Sequence, residues 1–147
     1  MKTIRTILLA VLVACMLIVT PTPAQATAPV DLTIEADLGM TSQATAAGDF
    51  SIIADGLFSD FGPASEVFFI DLDEGTIHGV KTLEGEQGTI TIKFQAELAF
   101  DFSSASGHFV ILSGSGAYEK LHGVGTTVAT ISGGHIYAEY QGSAHFD

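Results

Sequence analysis

The sequence predicts an all-β fold, an eight-stranded antiparallel β-barrel, and three observations lead to that prediction. Apolar residues alternate without a break against mainly polar ones from Ile90 to Phe102, which places the apolar side chains on one face of a long strand. Eight segments with strand character follow one another between short turns, and no segment is predicted as a helix. Eight antiparallel strands leave long exposed edges unless they close on themselves, so a barrel is favoured, with a two-sheet β-sandwich as the alternative.

The first half of the predicted domain supplies four strands. Residues 27–47 are expected to hold a tether and the first strand, and 48–147 the barrel core. In the second strand the adjacent Ile52 and Ile53 break the alternation, which suggests a bulge. Residues 59–65 contain Asp, Gly and Pro and are predicted as a turn, whereas the strand after them is apolar on both faces, so both faces are expected to be covered. The four predicted strands are 30–40, 48–58, 66–72 and 76–83.

The second half supplies four more strands. Alternation extends the fifth strand as far as Phe102, and a Ser-rich turn at 103–106 follows it. Gly133-Gly134 has the composition of a two-residue hairpin turn. Because short turns join consecutive strands, neighbouring strands are expected to pair antiparallel. The four predicted strands are 89–102, 107–113, 123–132 and 135–146.

Residues 1–26 have the features of an export signal peptide. A short basic region precedes an apolar run at 7–19, which is shorter than the ~20 residues that a membrane-spanning helix needs. Two prolines follow, and Ala24-Gln25-Ala26 has the small-x-small pattern of a cleavage site. We therefore predict cleavage after Ala26 and a secreted, extracellular protein consisting of a single domain, 27–147.

Cys15 gives a second interpretation of this segment. Leu12-Val13-Ala14-Cys15 resembles the lipobox that precedes a lipidated cysteine, although the apolar run continues beyond Cys15 to Val19. The alternative is therefore a protein anchored to the cell surface by lipid at Cys15. Since this is the only cysteine, removal of the signal peptide would exclude a disulfide, a cysteine nucleophile and a cysteine-ligated zinc site.

The chain is strongly acidic, with a formal net charge of −12. All seventeen acidic residues follow residue 26, where only Lys81, Lys93 and Lys120 oppose them. Such a surface repels phosphate backbones and anionic lipids, so a nucleic-acid partner is not expected. The short apolar run at 7–19 predicts no membrane span. The charge has two interpretations, solubility outside the cell or attraction of cations and basic partners.

Residues 107–126 carry a resemblance to known proteins. The run Gly114-Ser-Gly-Ala-Tyr118, followed by Leu121 and Gly123, is similar to the strand, Gly-x-Gly-x-Tyr, x-x-Leu-x-Gly, strand pattern of allene oxide cyclase-like and dirigent-like β-barrels. Residues 76–82 and 88–95 resemble exported bacterial members of unassigned function. The resemblance covers most of 48–147 and implies a calycin-like barrel whose interior is a shaped apolar cavity. It places no catalytic residue on this chain.

Two residues are candidates for ligand binding, Tyr118 and His108. The glycines of the Gly-x-Gly-x-Tyr pattern permit positive φ, so the chain can turn and fold Tyr118 and Leu121 back as plugs over one barrel end. His108 shares a strand face with Val110 and Leu112 and is therefore expected to point inward near one barrel end. Neither a Gly-x-Ser-x-Gly elbow nor a phosphate loop is present, and the catalytic residues stay unknown.

No cofactor and no metal site are predicted. The five histidines lack metal-ligand spacing. Asp71, Asp73 and Glu74 are expected to form a solvated acidic turn, with a calcium site as the alternative. Six aromatic side chains are candidates either to line a cavity or to fill it, and both outcomes occur in eight-stranded barrels. They are Phe50, Phe58, Phe68, Phe94, Phe100 and Phe102.

These observations leave three hypotheses for function. The first is a secreted barrel that binds a lipophilic small molecule or acts as a surface module. The second is a cofactor-free cyclase or isomerase that works inside the barrel by shape and a few polar groups. Of the two, the sequence favours a protein that is not an enzyme. The third is a structural or interaction protein with a filled core.

Overall fold

The computed structural model describes residues 26–147, which form one closed eight-stranded antiparallel barrel. Each strand pairs with the next one, and the last strand pairs with the first. The predicted barrel is confirmed and the sandwich alternative is wrong. The strands are β1 (Val30–Met40), β2 (Thr45–Ala54), β3 (Phe58–Asp71), β4 (Thr76–Glu84), β5 (Thr89–Leu98), β6 (Ser104–Gly114), β7 (Leu121–Ser132) and β8 (His135–Phe146).

The predicted signal peptide and the alternative lipid anchor at Cys15 lie outside the described residues. Within residues 26–147, no helix has the length and apolar character needed to cross a membrane.

The strand order gives the barrel two different ends. The turns after β1, β3, β5 and β7 lie at one end, which we call the open end. The turns after β2, β4 and β6 lie at the other end, together with both ends of the described chain, and we call it the plugged end. A 3₁₀ turn at Gly116–Tyr118 lies at the plugged end, between β6 and β7.

Alternation along each strand fills the barrel interior with apolar side chains. Glycines that face inward make room for the largest of them. A Cβ atom at Gly79 would lie 2.9 Å from the ring of Phe94, and one at Gly125 would lie 2.7 Å from the ring of Phe109. Small and large inward positions thus interlock, as close packing requires.

The predictions for β2 and β3 need correction. Ile52 faces the core and Ile53 faces solvent in a continuous register with β1, and the pairing is instead irregular at Thr91/Ile92, between β5 and β6. Residues 59–65 are not a turn but belong to the 14-residue strand β3. Its ladder with β4 starts only at Ala64, and the segment before it lies against the turn after β4 without ladder pairing on that side. Proline, which lacks an N–H group, is tolerated where a strand has no ladder partner on one side.

The fifth strand ends at Leu98, not at Phe102. The Asp101 carboxylate accepts hydrogen bonds from the backbone and the hydroxyl of Ser103, and the Phe102 N–H donates to the Ala99 carbonyl. These local bonds stabilise a turn in which Phe102 has a φ of 58°. Side chain-to-backbone bonding therefore overrides the alternation that predicted a longer strand.

The outer face of β3 is not covered by any other described part of the chain. Val67 and Phe69 are each more than half exposed, so the prediction that both faces of this strand are buried is wrong. The Phe69 ring lies beside the ring of its cross-strand partner His78 on β4, with the two centroids 5.3 Å apart. A single closed sheet buries one face of each strand, and apolar residues on the other face stay in solvent.

Candidate functional site

A charged cluster lies inside the barrel. Glu66 on β3 and Lys81 on β4 are direct cross-strand partners, and both occupy inward positions of their alternating strands. The Lys81 Nζ and the Glu66 Oε2 lie 2.9 Å apart, with 0% and 3% of the side chains exposed. Tyr140 on β8 and Thr127 on β7 are also buried. We call Glu66, Lys81, Thr127 and Tyr140 the interior cluster.

The Lys81 ammonium is incompletely satisfied. It lies 4.8 Å from the centroid of the Tyr140 ring, a distance suited to a cation–π interaction. An ammonium group carries three donors, yet the Nζ makes no hydrogen bond of good geometry to any acceptor among the described residues. Glu66 and Tyr140 both lie close enough to accept from the Nζ, and an ammonium with two such partners still has a third donor available to a further group.

The surroundings keep the interior cluster in a defined protonation state. Burial by itself lowers the pKa of the Lys81 ammonium, but Tyr140 and Glu66 outweigh burial and raise the pKa above its usual value. Burial raises the pKa of the Tyr140 hydroxyl, although Lys81 opposes that shift. At neutral pH the cluster therefore presents an ammonium and a neutral phenol.

An apolar cleft leads from the interior cluster toward the open end. Four of the residues that line the cleft are alanines, whose side chains are small. The partly exposed Ala129 and Ile131 lie at its outer part. The volume left inside is about 20 Å³, which is room for one water molecule. The barrel interior is thus nearly filled. The cleft is lined by Glu66, Ile77, Phe94, Ala96, Ala105, Thr127, Ala129, Ile131, Ile136, Ala138 and Tyr140.

Large apolar side chains stand exposed around the open end. Leu72 and Phe100 project from the turns after β3 and β5, and the Phe100 side chain is fully exposed. We call Met40, Leu72, Phe100 and Phe102 the rim. The positive φ of Phe102, a non-glycine residue, costs on the order of 1–3 kcal/mol, and such strain is concentrated at functional sites. Of the six phenylalanines considered above, Phe100 and Phe102 thus belong to the surface.

The plugged end is closed by Tyr118, as predicted. Tyr118 and Leu121 are both buried, and Gly116 has a φ of 60° at the start of the turn that brings the tyrosine inward. The Tyr118 hydroxyl donates a hydrogen bond of 2.6 Å to the Asp60 Oδ2. The ring lies against that of Phe58, with centroids 4.9 Å apart. We call Asp60 and Tyr118 the plug.

Asp60 organises the turn after β4 as well. Its carboxylate accepts backbone N–H bonds from Phe61, Glu86 and Gln87 at 2.8–3.2 Å. Burial raises the pKa of this carboxyl, but the bonds from Tyr118 and the backbone outweigh burial and lower the pKa. Burial and then Asp60 raise the pKa of the Tyr118 hydroxyl. Because this hydroxyl is engaged at the end opposite the cleft, we assign Tyr118 to closing the barrel.

His108 points outward, so the expectation of an inward histidine is wrong. The inward residues of this part of β6 are Phe109 and Ile111, whereas His108 shares the solvent face with Val110 and Leu112. Both faces of β6 carry apolar residues, and the sequence pattern therefore did not distinguish them. His108 lies in a groove on the outer surface of the barrel, described below.

The acidic turn after β3 has a local structural role. The Asp71 carboxylate accepts N–H bonds from Asp73 and Glu74. Among residues 26–147, no three His, Cys, Asp or Glu side chains are grouped so that they could hold a metal ion.

Comparison with known proteins adds no relative: no protein-family model matches the chain, and neither does any curated protein. Sequence reasoning missed the interior cluster, although a signal was present. Lys81 follows Ile77 and Gly79 at inward positions of β4, and Glu66 lies between the inward Ala64 and Phe68. A charged residue at an apolar position of an alternating strand marks such a cluster.

Proposed function

We propose that this protein is a secreted β-barrel module that binds a neutral lipophilic small molecule at the open end. One observation carries the proposal: an apolar cleft, surrounded outside by exposed apolar side chains, ends at the buried polar side chains of Glu66, Thr127 and Tyr140, with the Lys81 ammonium beside them. Ligand sites in proteins combine an apolar wall with a few placed polar groups in this way.

The energetics of the interior cluster support a role in binding. Taking a carboxylate and an ammonium out of water costs several kcal/mol per ion, and well-packed apolar residues would often serve stability better. Lys81 and Glu66 are therefore poorly explained by folding alone. A ligand with a carbonyl or hydroxyl oxygen at its tip would accept a hydrogen bond from the interior cluster. The polar groups of the cluster would then be more completely hydrogen-bonded.

The rim defines the size and charge of the ligand. With about 20 Å³ inside, the cleft admits only the tip of a molecule, so the body must lie among the rim side chains. Asp71, Asp73, Glu74 and Asp101 lie in or beside the open-end turns and repel anions. A neutral ligand is favoured over a fatty-acid anion.

The resemblance and the predicted export form part of the proposal. We propose membership in the allene oxide cyclase-like and dirigent-like barrels, supported by the closed barrel and the Gly-x-Gly-x-Tyr turn with its buried tyrosine. Secretion after cleavage at Ala26 is supported by Thr27, which directly follows the predicted cleavage site and hydrogen-bonds to Phe146 at the end of β8. The mass of the protein purified from its host tests this: a chain starting at Thr27 supports secretion, and an acylated Cys15 establishes the lipid anchor.

Fluorescence titration with the neutral probe N-phenyl-1-naphthylamine tests ligand binding. We expect saturable binding with one probe per barrel. Phe100→Ser and Ala129→Leu should weaken it, the first by removing rim surface and the second by filling the outer part of the cleft. Phe61→Ser is the matched control, because Phe61 is an exposed phenylalanine on β3 outside the rim. Equal weakening by the control variant, or no saturable binding, would overturn the proposal.

A second candidate is the cofactor-free cyclase or isomerase. The Glu66 carboxylate favours it, since this potential base lines the cleft and the Lys81 ammonium, a potential acid, lies 2.9 Å from it. The small volume of the cleft favours a binder instead, because a substrate must reach the cluster to react. Incubation of a molecule that co-purifies with the protein distinguishes the two. Conversion by the wild type and not by Lys81→Met would establish the enzyme, and recovery of the unchanged molecule would support the binder.

A further inference from the structure

A wide concave surface lies outside the barrel, across β4 to β7. It encloses about 650 Å³, the size of a ligand site, whereas the interior cleft holds about one water. We call it the outer groove. A smaller groove of about 240 Å³ shares Thr126 and Val128 with it and extends it onto β8. The outer groove is lined by Thr76, Gln95, Ala96, Glu97, Ser106, Gly107, His108, Thr126, Thr127 and Val128.

Inward-facing glycines explain why the outside of a barrel becomes concave here. A Cβ atom at Gly107 would lie 2.0 Å from the Gln95 carbonyl oxygen, and one at Gly125 would lie 2.1 Å from that of Gln141. Only glycine permits the strands to fold inward this closely. Such glycines permit sharp local bending of the sheet, and the side chains on either side form the walls of the groove.

Polar side chains form a continuous row along the groove. Gln95, His108, Thr126 and Gln141 are successive cross-strand partners on β5, β6, β7 and β8. Three strand spacings make the row about 14 Å long, since neighbouring strands lie ~4.8 Å apart. The row therefore suits an extended ligand that crosses the strands, and a compact ion would use only a small part of it.

The chemistry of the lining restricts the ligand. No Lys or Arg lines the outer groove or its extension, while Glu97 and Glu139 contribute carboxylates, so phosphate and sulfate groups are repelled. Val128 is the only large apolar residue of the lining, so a lipophilic ligand would gain little there. The remaining groups are amides, hydroxyls and an imidazole, which both donate and accept hydrogen bonds.

We propose that the outer groove binds a neutral oligosaccharide. Sugar hydroxyls would donate to Glu97 and Glu139 and accept from the Gln95 amide and the His108 ring, and the chain of sugars would follow the row across the strands. A basic peptide is the competing ligand class, because it would pair with the same carboxylates. This site lies on the outer face of the sheet whose inner face lines the cleft, with Ala96 and Thr127 in both linings, and it does not depend on the lipophilic ligand proposed above.

Titration calorimetry with cellohexaose, maltohexaose and chitohexaose tests the proposal. We expect saturable binding of at least one of them that persists in 0.5 M NaCl, a salt level at which attraction between exposed charges is largely screened. His108→Ala and Gln95→Ala should each weaken binding by about 2- to 13-fold, the loss of one ordinary hydrogen bond. Ser106→Trp should abolish it by filling the groove. Ser51→Ala, on the exposed face of β2, is the matched control and should leave binding unchanged.

Three outcomes would overturn the proposal. They are no binding of any of the three hexasaccharides at millimolar concentration, binding that survives Ser106→Trp, and binding lost equally in the Ser51→Ala control. Displacement of a bound hexasaccharide by oligolysine at low salt only would assign the groove to a basic peptide instead. All four substituted residues are exposed, and circular dichroism checks that each variant is folded.

Discussion

At the scale of single residues, the interior cluster is the least expected feature of the barrel. A barrel of this size can fill its interior with apolar side chains. Here the chain instead places Lys81 and Glu66 opposite each other on β3 and β4, beneath the Tyr140 ring. The pair is separated from water and its Glu66 side chain lines the cleft, so its charge acts more strongly on whatever enters than it would in water.

Substitutions at Lys81 and Glu66 show how much the ion pair contributes to the stability of the barrel. Lys81→Met leaves the Glu66 carboxylate buried without its counter-ion, and we expect a loss of about 3–5 kcal/mol in the free energy of unfolding. The double variant Lys81→Met/Glu66→Leu removes both charges and should recover most of that loss. Urea unfolding of the three proteins measures this. A double variant as unstable as the single one would show that the pair itself holds the barrel together.

The plug has a pH dependence of defined sign. The pKa of Asp60 is lowered by folding, so its contribution to stability is present above the ordinary carboxyl value of 3.8 and is lost as pH falls through the lowered value. Asp60→Asn should lower the free energy of unfolding by about 1.5–3 kcal/mol at pH 7, with the difference shrinking below pH 3.8. Asp55→Asn, in the exposed turn after β2, is the charge-matched control. A difference that stays constant with pH would contradict the assigned role.

At the scale of elements, the turn between β6 and β7 sets the plug in place. Gly116 combines a φ of 60° with a close approach, since a Cβ atom would lie 2.5 Å from the Gln87 carbonyl oxygen. Gly133 has a similar φ of 58° and nothing within 4 Å of its Cβ position.

The two glycines form a matched pair for mutation. Gly133→Ala introduces only the strain of a positive φ, whereas Gly116→Ala adds a clash with the turn after β4. We expect Gly116→Ala to be the more destabilising by more than about 1 kcal/mol in thermal or urea unfolding. Equal effects of the two substitutions would show that the turn moves away from Gln87 without loss.

The elements also show where sequence reasoning succeeds and where it fails. Inward and outward positions of β1 and β8 were readable because one face is apolar and the other polar. In β6 both faces carry apolar residues, so His108 was placed on the wrong face. For β5, the alternation continued through Phe100 and Phe102, but the hydrogen bonds of Asp101 end the strand earlier.

The candidate site was less readable than the fold. Tyr118 was located because the Gly-x-Gly-x-Tyr pattern is local in sequence. The interior cluster joins β3, β4, β7 and β8, and only the register of the closed sheet brings these strands' residues together. The outer groove likewise depends on the curvature that Gly107 and Gly125 give to neighbouring strands, and no short segment contains that information.

At the scale of the whole molecule, closure connects the two ends of the described chain. The β1–β8 ladder completes the barrel, and beyond it the Thr27 N–H donates to the Phe146 carbonyl while the Thr27 hydroxyl accepts from the Phe146 N–H. A chain that starts at Thr27 keeps these bonds, which fits the cleavage proposed after Ala26.

This closure predicts the effect of trimming the start of the barrel. A chain that begins at Val30 should be less stable than one that begins at Thr27 by about 1–3 kcal/mol, because two hydrogen bonds are lost. Thr27→Val in the longer chain removes only the hydroxyl and should lie between them. Urea unfolding gives the order, and equal stability of the two chain lengths would show that the segment before β1 does not contribute.

The central claim is that the barrel binds a neutral lipophilic molecule through its open end. The most direct test is an amide NMR titration of the protein with N-phenyl-1-naphthylamine. The account predicts shifts concentrated in the open-end turns at 72–75 and 99–103 and at Thr127 and Tyr140 in the interior. Shifts concentrated at the plug or at Gln95, His108 and Gln141 of the outer surface, or no shifts at saturating probe, would contradict it.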